Sequence, residues 1–153
     1  MRQIAISDIH GCSKTFTALL DKLALSTSDE LYLLGDYVDR GPDSKGVIDI
    51  IFQLQKDGYS VQCLRGNHEE LVLQAATGDF TGLERWMFTD GNDTMKSFGV
   101  GSIADIPQVY LTWMASLPYF IETGRYILVH AGLDFSWDDP LTVTDEMCWI
   151  RHW

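Results

Sequence analysis

The chain has few positively charged residues. Lysine and arginine account for 11 of 153 residues against 22 aspartates and glutamates, so the formal net charge is −11. Nucleic-acid-binding proteins present a basic face, and this composition offers little to build one. We therefore expect no nucleic-acid partner. A substrate that carries phosphate would need local positive charge from metal ions or from a few well-placed arginines.

Cysteines and long apolar runs are also scarce. The three cysteines, Cys12, Cys63 and Cys148, form no Cys-x-x-Cys pair and are odd in number, which argues against a disulfide framework. No stretch of about 18 uninterrupted apolar residues is present, and Asp8 interrupts the first apolar segment. These features predict a soluble cytoplasmic protein that does not enter a membrane.

Short apolar strands alternate with amphipathic helices in the first half of the chain. Strands are predicted at 4–6, 31–34 and 61–64, with helices over 16–23, over 44–58 with Ser44 as the cap and Gly58 as the end, and over 69–76. This order is typical of parallel βαβ units. With 46% hydrophobic residues, the chain can bury the core of one domain, which we expect to span residues 1–153.

The order changes in the second half. A helix is predicted over 83–87, a polar segment interrupted by three glycines over 91–101, and a further helix after Pro107. A β-hairpin is expected from 119–121 and 126–129, followed by a loop over 134–140 and a final helix over 144–152.

Charged and polar residues, most of which can bind metal ions, follow four of the predicted strands. Ligands of open parallel sheets bind beyond the carboxyl ends of the strands, so these residues should meet at one edge. Oxygen and imidazole donors suit Mn²⁺, Fe²⁺ or Zn²⁺, and there are more donors than one ion needs. We expect Asp8 and His10, two residues apart, to reach the same side of a strand end. The residues are Asp8 and His10; Asp36, Asp39 and Arg40; Asn67, His68 and Glu69; and His130.

Each of these residues also has an ordinary structural interpretation. Gly, Asp and Pro at 35–42 are common in turns, Asp8 and Asn67 could cap the helices that follow, and Glu69 suits a helix N-terminus. A histidine alone is more often a hydrogen-bond partner than a metal ligand. One shared site explains four successive strand ends better than four unrelated roles.

Four segments of the sequence, in this order, resemble the motifs of the calcineurin-like metallophosphoesterases. More narrowly, they are similar to the phosphoprotein-phosphatase type of Ser/Thr phosphatase in its compact bacterial and phage form. The resemblance implies an α/β fold, namely a four-layer β-sandwich with βαβ units flanked by helices. The segments are Asp8-Ile9-His10-Gly11, residues 35–41, Leu64-Arg65-Gly66-Asn67-His68-Glu69 and His130-Ala131-Gly132.

The resemblance also implies two divalent ions and assigns ligands to them. Mn²⁺ is the expected ion, with Fe and Zn as alternatives. One ion would be held by Asp8, His10 and Asp36, and the second by Asp36, Asn67 and His130. Two such ions would lower the pKa of a bridging water, and the resulting hydroxide would attack phosphorus in line.

Four further residues would act on the substrate. The planar guanidinium of Arg40 fits two phosphate oxygens, and Arg151 resembles the family's second phosphate-binding arginine, although it could equally be a solvated terminal residue. His68 is the expected general acid for the leaving group, and Asp39 would orient its imidazole and favour the protonated form.

The sequence departs from the family pattern after His130. A further histidine of the second metal, in a Gly-His-Thr motif, is not found before Trp153. We therefore expect a C-terminally truncated piece of a longer enzyme; a naturally short form or a binding remnant are the alternatives. An unfinished second sheet would leave an edge open to pairing with another chain, so an oligomer is an expectation as well.

The leading function is hydrolysis of phosphoserine or phosphothreonine in proteins, with phosphotyrosine as a further substrate. Symmetrical bis(5'-nucleosyl)-tetraphosphatase activity is the alternative, and a non-catalytic phosphate-binding remnant is the alternative of another class. Asp39-Arg40 and Glu69 resemble the protein phosphatases more than the tetraphosphatases.

Overall fold

The computed structural model describes residues 1–151; the side chain of Asp145 and residues His152 and Trp153 lie outside the described part. The five strands are β1 (Gln3–Ile6), β2 (Glu30–Leu33), β3 (Ser60–Cys63), β4 (Phe120–Glu122) and β5 (Ile127–Val129). The seven helices are α1 (Ser13–Leu23), α2 (Ser44–Lys56), α3 (Asn67–Ala76), α4 (Phe80–Phe88), α5 (Gly91–Phe98), α6 (Gln108–Ser116) and α7 (Thr144–Trp149). Single 3₁₀ turns lie at Ile103–Asp105 and Pro140–Thr142.

The first three strands form a parallel sheet in the order β1-β2-β3. Gln3 pairs with Glu30, and Glu30 pairs with Ser60, so the strands end level with one another. The predicted βαβ units are therefore confirmed. Because the strands are parallel and in register, the loops that follow β1, β2 and β3 leave the sheet at the same edge, where the predicted site residues lie.

The two faces of this sheet pack against different layers. Leu31 and Leu33 of β2 are buried against the helices, in the main core cluster. Tyr32 points to the opposite face and packs in a second, smaller cluster with Leu64 and Ile121 of β4. The antiparallel hairpin β4-β5, with Phe120 opposite Val129, thus covers the second face and confirms the predicted hairpin.

This layering agrees with the predicted sandwich in part. Within residues 1–151, the second sheet has the two strands β4 and β5, and the layers are helices, parallel sheet and hairpin. The outer edges of β1 and β3 have no strand partner among the described residues. Pairing of an edge with another chain stays a prediction.

Several helix limits differ from those predicted by a few residues, and two differences have a clear physical reason. The cap of α2 is Asp43 and not Ser44, because the Asp43 carboxylate accepts the N–H of Gly46 while Ser44 is already helical and fully buried. Residues 91–98, which the sequence shows only as part of a polar segment interrupted by glycines, form α5, and Gly99 caps its end in the left-handed conformation. The end of the predicted helix over 144–152 reaches His152, outside the described residues.

None of the helices in residues 1–151 is both long enough and apolar enough to cross a bilayer.

Candidate metal centre

The loops that follow β1 and β2 lie side by side beyond the sheet. The N–H of Asp8 donates to the carbonyl of Gly35 at 3.2 Å, and the N–H of His10 donates to the carbonyl of Asp36 at 2.9 Å. Asp8, His10 and Asp36 all have positive φ, at 56°, 44° and 59°. Such conformations are uncommon outside glycine and concentrate at functional sites.

Asp8 and His10 meet, but not in the way that the sequence suggested. β1 ends at Ile6, so the two residues do not share a strand face. Their left-handed conformations turn the side chains together, with Nε2 of His10 3.9 Å from Oδ1 of Asp8. The expected proximity is confirmed, and the expected backbone geometry is wrong.

Asp36 is shared by two groups of potential ligands. Its Oδ2 atom lies 3.5 Å from Nε2 of His10 and 3.5 Å from Nε2 of His130. Nε2 of His130 in turn lies 3.0 Å from Oδ1 of Asn67. Ligands of one ion, at about 2.1 Å from it and 90° to 120° apart, stand about 3.0 to 3.6 Å from each other. The spacing of the predicted ligands suits two ions that share Asp36.

The imidazole tautomers support this assignment. Nδ1 of His10 lies 2.8 Å from the carbonyl of Val38, and Nδ1 of His130 lies 2.7 Å from the carbonyl of Leu34. A carbonyl only accepts, so Nδ1 carries the hydrogen in each neutral ring and Nε2 presents a lone pair. Nε2 of the neutral His130 ring then faces the oxygens of Asn67 and Asp36, an arrangement that a cation satisfies. Orientation of a ligand histidine by a backbone carbonyl is usual in metal sites.

Grouping by proximity alone also brings His68 into contact with metal ligands. Ligand atoms of His10, Asp36 and His68 lie within 4.8 Å of one another, as do those of Asp8, Asp36 and His130. The rings of His10 and His68 meet edge to face, with centroids 4.7 Å apart. Unlike His10 and His130, however, His68 is hydrogen bonded to a carboxylate.

The pair formed by His68 and Asp39 is almost completely buried. Nδ1 of His68 lies 2.7 Å from Oδ2 of Asp39, and the two side chains are 1% and 0% exposed. Burial acts to lower the pKa of His68, but the hydrogen bond to Asp39 and the charges of Asp36 and Asp39 outweigh it, so the pKa of His68 is raised. A raised pKa favours the imidazolium form, which can donate a proton and cannot bind a metal.

Both predicted phosphate-binding arginines lie beside the ligand groups. Nη1 of Arg40 is 3.1 Å from Nε2 of His10. Arg40 is exposed, and its backbone φ is 64°. Nη2 of Arg151 is 3.4 Å from Oδ1 of Asn67, at the other group. The structure therefore brings all nine predicted site residues to one edge of the sheet.

Glu69 positions the metal-ligand loop from beneath. Its fully buried carboxylate accepts the backbone N–H groups of Asp36 at 2.9 Å, Tyr37 at 2.8 Å and Gly66 at 2.9 Å. Gly66 lies so close to the loop that a Cβ atom there would be 2.2 Å from Oδ1 of Asp36. A side chain at position 66 would thus collide with the shared ligand.

Sequence reasoning missed two residues that contact this site from α4 and α5. Nε1 of Trp86 and Oγ1 of Thr94 both donate to the carboxylate of Asp39, at 3.0 Å and 2.6 Å. Neither lies in a motif. A tryptophan at core spacing and a threonine in a polar stretch gave no signal beyond ordinary packing.

Comparison with known proteins agrees with this geometry. Residues 1–152 match the calcineurin-like phosphoesterase family. A symmetrical bis(5'-nucleosyl)-tetraphosphatase from Nitrosomonas europaea is 33% identical over 138 residues, covering 90% of this chain and 47% of that protein. The chain thus spans about half the length of the curated relatives it matches.

Solved structures show the same fold. A provisionally assigned diadenosine tetraphosphatase superposes with a TM-score of 0.62 at 25% identity, covering 85% of this chain and 50% of that one. A serine/threonine phosphatase from Saccharomyces cerevisiae superposes with a TM-score of 0.64 at 18% identity, covering 88% and 42%. The chain belongs to the calcineurin-like phosphoesterase family.

Proposed function

We propose that this chain carries the dinuclear metal centre of a phosphoesterase that cleaves dinucleoside tetraphosphates symmetrically. The observation that carries the proposal is the position of Asp36 between two ligand groups, 3.5 Å from His10 on one side and from His130 on the other. When bound there, two divalent ions supply charge neutralisation at the phosphoryl group and lower the pKa of water. Mn²⁺ is the ion that we propose for this mixed oxygen and imidazole site, with Fe and Zn as alternatives.

The residues around the two ligand groups have separate roles. Arg40 and Arg151 bind phosphate oxygens. These positive charges are needed because the chain has a net charge of −11, which repels an anionic substrate. His68 donates a proton to the leaving oxygen through Nε2, since Nδ1 is bonded to Asp39. Asp39 holds that imidazole in place.

The choice of substrate rests on the relatives and on the burial of two residues. Asp39 and Glu69, together with Arg40, are the residues whose identity favours a protein phosphatase. Arg40 is exposed, and the other two differ from it. Both are fully buried, and the hydrogen bonds of Glu69 are with backbone N–H groups. Neither touches a substrate, so neither selects one directly. Similarity to symmetrical tetraphosphatases over 90% of the chain then favours the dinucleotide.

Hydrolysis of phosphoserine and phosphothreonine in proteins is the second candidate. It is favoured by the sequence Asp39-Arg40, in which the arginine is exposed beside His10. A planar guanidinium at that position fits the terminal phosphate of a monoester as well as an internal phosphate.

Turnover of both substrates by one preparation tests these alternatives. The Mn²⁺-loaded protein is supplied with diadenosine tetraphosphate or a phosphoserine peptide, and the metal-stripped protein is the control. We expect metal-dependent release of ADP at a higher kcat/KM than release of phosphate from the peptide. Release from the peptide alone would establish the second candidate. No turnover of either substrate by folded, metal-loaded protein would contradict both candidates and indicate an incomplete enzyme or a phosphate-binding remnant.

Arginine variants test the phosphate contacts in the same assay. Arg40→Ala removes the guanidinium beside His10 and should raise KM for the dinucleotide by at least about tenfold, since charge-assisted bidentate contacts are among the strongest hydrogen bonds. Arg125→Ala is the matched control, because Arg125 lies on the ring of Tyr126 in the β4-β5 turn and should leave KM unchanged.

A further inference from the structure

The carboxylate of Asp39 accepts hydrogen bonds from three side chains, of which His68 is only one. Nδ1 of His68 donates to Oδ2 at 2.7 Å. Nε1 of Trp86 lies 3.0 Å from Oδ1 and 3.1 Å from Oδ2, so that it spans both oxygens. Oγ1 of Thr94 donates to Oδ1 at 2.6 Å. All four side chains are at most 1% exposed.

The hydroxyl of Thr94 links this carboxylate to its own backbone. Oγ1 of Thr94 has one hydrogen, which goes to Oδ1 of Asp39, and it accepts the N–H of Asp39 at 2.9 Å. Ser44 must therefore be the donor in the 3.1 Å contact between the two hydroxyls, and Oγ of Ser44 also accepts the N–H of Asp39 at 3.1 Å. Thr94 thus fixes both the side chain and the backbone of a residue held at φ of 67°.

The indole of Trp86 is held rigidly. It is fully buried in the main core cluster, and α5 begins directly against it. A Cβ atom on Gly91 would lie 2.7 Å from Cδ2 of the indole, so only glycine allows the helix this close. The indole N–H is a donor only and its direction is set by the ring. The orientation of the Asp39 carboxylate is consequently determined by α4 and α5.

A buried tryptophan needs a hydrogen-bond partner in any protein. Here the partner is the carboxylate that also holds His68, and the indole nitrogen lies within 3.1 Å of both of its oxygens. Together with Nδ1 of His68, the indole N–H and the Thr94 hydroxyl satisfy a carboxylate that is fully buried. Trp86 and Thr94 come from a segment outside the motifs, yet both of these hydrogen bonds converge on the pair at the centre of the site.

We propose that Trp86 and Thr94 are positioning residues, which fix the Asp39 carboxylate and through it aim the His68 imidazole at the leaving oxygen. This inference rests on the proposed function in one respect, the role of His68 as general acid. Neither residue contacts the metal ligands Asp8, His10, Asn67 or His130 through the hydrogen bonds described above.

Leaving-group dependence is the test that separates positioning from general stabilisation. The Mn²⁺-loaded protein is assayed on aryl phosphates from 2,4-dinitrophenyl phosphate, which needs no acid, to phenyl phosphate, which does. Trp86→Phe keeps an aromatic core side chain and removes the N–H. We expect kcat for phenyl phosphate to fall by about tenfold or more while kcat for the dinitrophenyl ester stays within about twofold.

Matched variants complete the kinetic test. Trp113→Phe makes the same change in the same core, next to Tyr37 and Phe52 and away from Asp39, and should leave the leaving-group dependence unchanged. Thr94→Val should act like Trp86→Phe, whereas Thr94→Ser should restore the wild-type dependence. If Trp86→Phe does not fold, the comparison of Thr94→Val with Thr94→Ser decides the test. The proposal is overturned if Trp86→Phe lowers kcat equally for all the esters, or if Trp113→Phe changes the leaving-group dependence as Trp86→Phe does.

A second measurement does not depend on turnover. In the Zn²⁺-loaded protein, solvent exchange of the His68 Nδ1 proton is followed by nuclear magnetic resonance. We expect exchange to be faster in Trp86→Phe and in Thr94→Val than in the wild type and Trp113→Phe; unchanged exchange overturns the proposal. A wild type that is inactive on diadenosine tetraphosphate, or a His68→Asn variant with unaltered leaving-group dependence, would instead contradict the proposed function, while the exchange rates still test the positioning.

Discussion

Nε2 of His130 lies 3.0 Å from Oδ1 of Asn67, so two hydrogen-bond acceptors face each other at the edge of the sheet. The hydrogen of the neutral ring is on Nδ1, which donates to the carbonyl of Leu34. Arg151 donates to the same atom of Asn67, at 3.4 Å, which agrees with its assignment as oxygen. A divalent cation relieves this contact, and the pair is most simply explained as one side of a metal site.

Asn67→Ala should therefore remove a ligand from one of the two sites. We expect the affinity for the second equivalent of Mn²⁺ to fall by at least about tenfold while the first equivalent still binds, as for the loss of groups that tune a metal site. Calorimetric titration measures both steps. Asn92→Ala, at an exposed position of α5, is the control and should bind two equivalents as the wild type does. Equal binding by both variants would exclude Asn67 as a ligand.

Glu69→Gln should cost stability as well as activity. The amide of glutamine turns a donor toward the backbone N–H groups of Asp36, Tyr37 and Gly66, which the carboxylate now accepts. Leaving such buried groups unsatisfied costs about 1–3 kcal/mol each, so we expect the free energy of unfolding to fall by about 2–4 kcal/mol. Urea denaturation checks this, with Glu84→Gln at an exposed position of α4 as the control. A change below about 0.5 kcal/mol would refute the role.

Gly66→Ala should disturb the shared ligand directly. The new Cβ atom would lie 2.2 Å from Oδ1 and 2.5 Å from the backbone nitrogen of Asp36, so the loop would have to move. We expect loss of Mn²⁺ binding at both sites. Gly101→Ala, where nothing lies within 4 Å of the new atom, is the control and should bind as the wild type. Normal binding by Gly66→Ala would mean that the position of Asp36 tolerates displacement.

The ion pair between Arg2 and Asp29 predicts a pH dependence of stability away from the site. Hydrogen bonds from the Arg2 guanidinium, at 2.6 Å and 3.0 Å, hold the pKa of Asp29 well below its usual range. A depressed carboxyl pKa stabilises the folded state above the unfolded pKa of about 3.9 and loses that contribution as the pH falls through the folded value.

Asp29→Asn should thus lower stability at pH 7, and the difference from the wild type should shrink as the pH falls below about 4. Urea denaturation of metal-stripped protein across this range measures it. Asp93→Asn, in the exposed pair with Lys96, is the control and should have a small effect throughout. A difference that stays constant down to pH 3 would mean that the hydrogen bonds and not the charge of Asp29 matter.

Site residues that follow a strand closely in the sequence were predictable. Asp36 and Asn67 follow strands β2 and β3 within a few residues, and the topology of parallel strands brings such strand ends together without knowledge of packing. The fold of residues 3–76 followed from the same alternation of strands and helices.

The remaining features depend on contacts between distant segments. Gly91 was interpreted as a break in a polar stretch, but its role is to let α5 approach Trp86. Without that contact nothing in the sequence links Trp86 or Thr94 to Asp39, which lies 47 and 55 residues away. The burial of Glu69, which removes it from the choice of substrate, was likewise visible only in three dimensions.

Metal stoichiometry and turnover in Asp36→Asn test the central claim most directly. Because Asp36 lies 3.5 Å from a histidine of each ligand group, we expect the wild type to bind two Mn²⁺ per chain and to hydrolyse diadenosine tetraphosphate, and the folded variant to do neither. A wild type that binds at most one ion, or a variant that keeps metal-dependent turnover, would contradict a dinuclear centre built on Asp36.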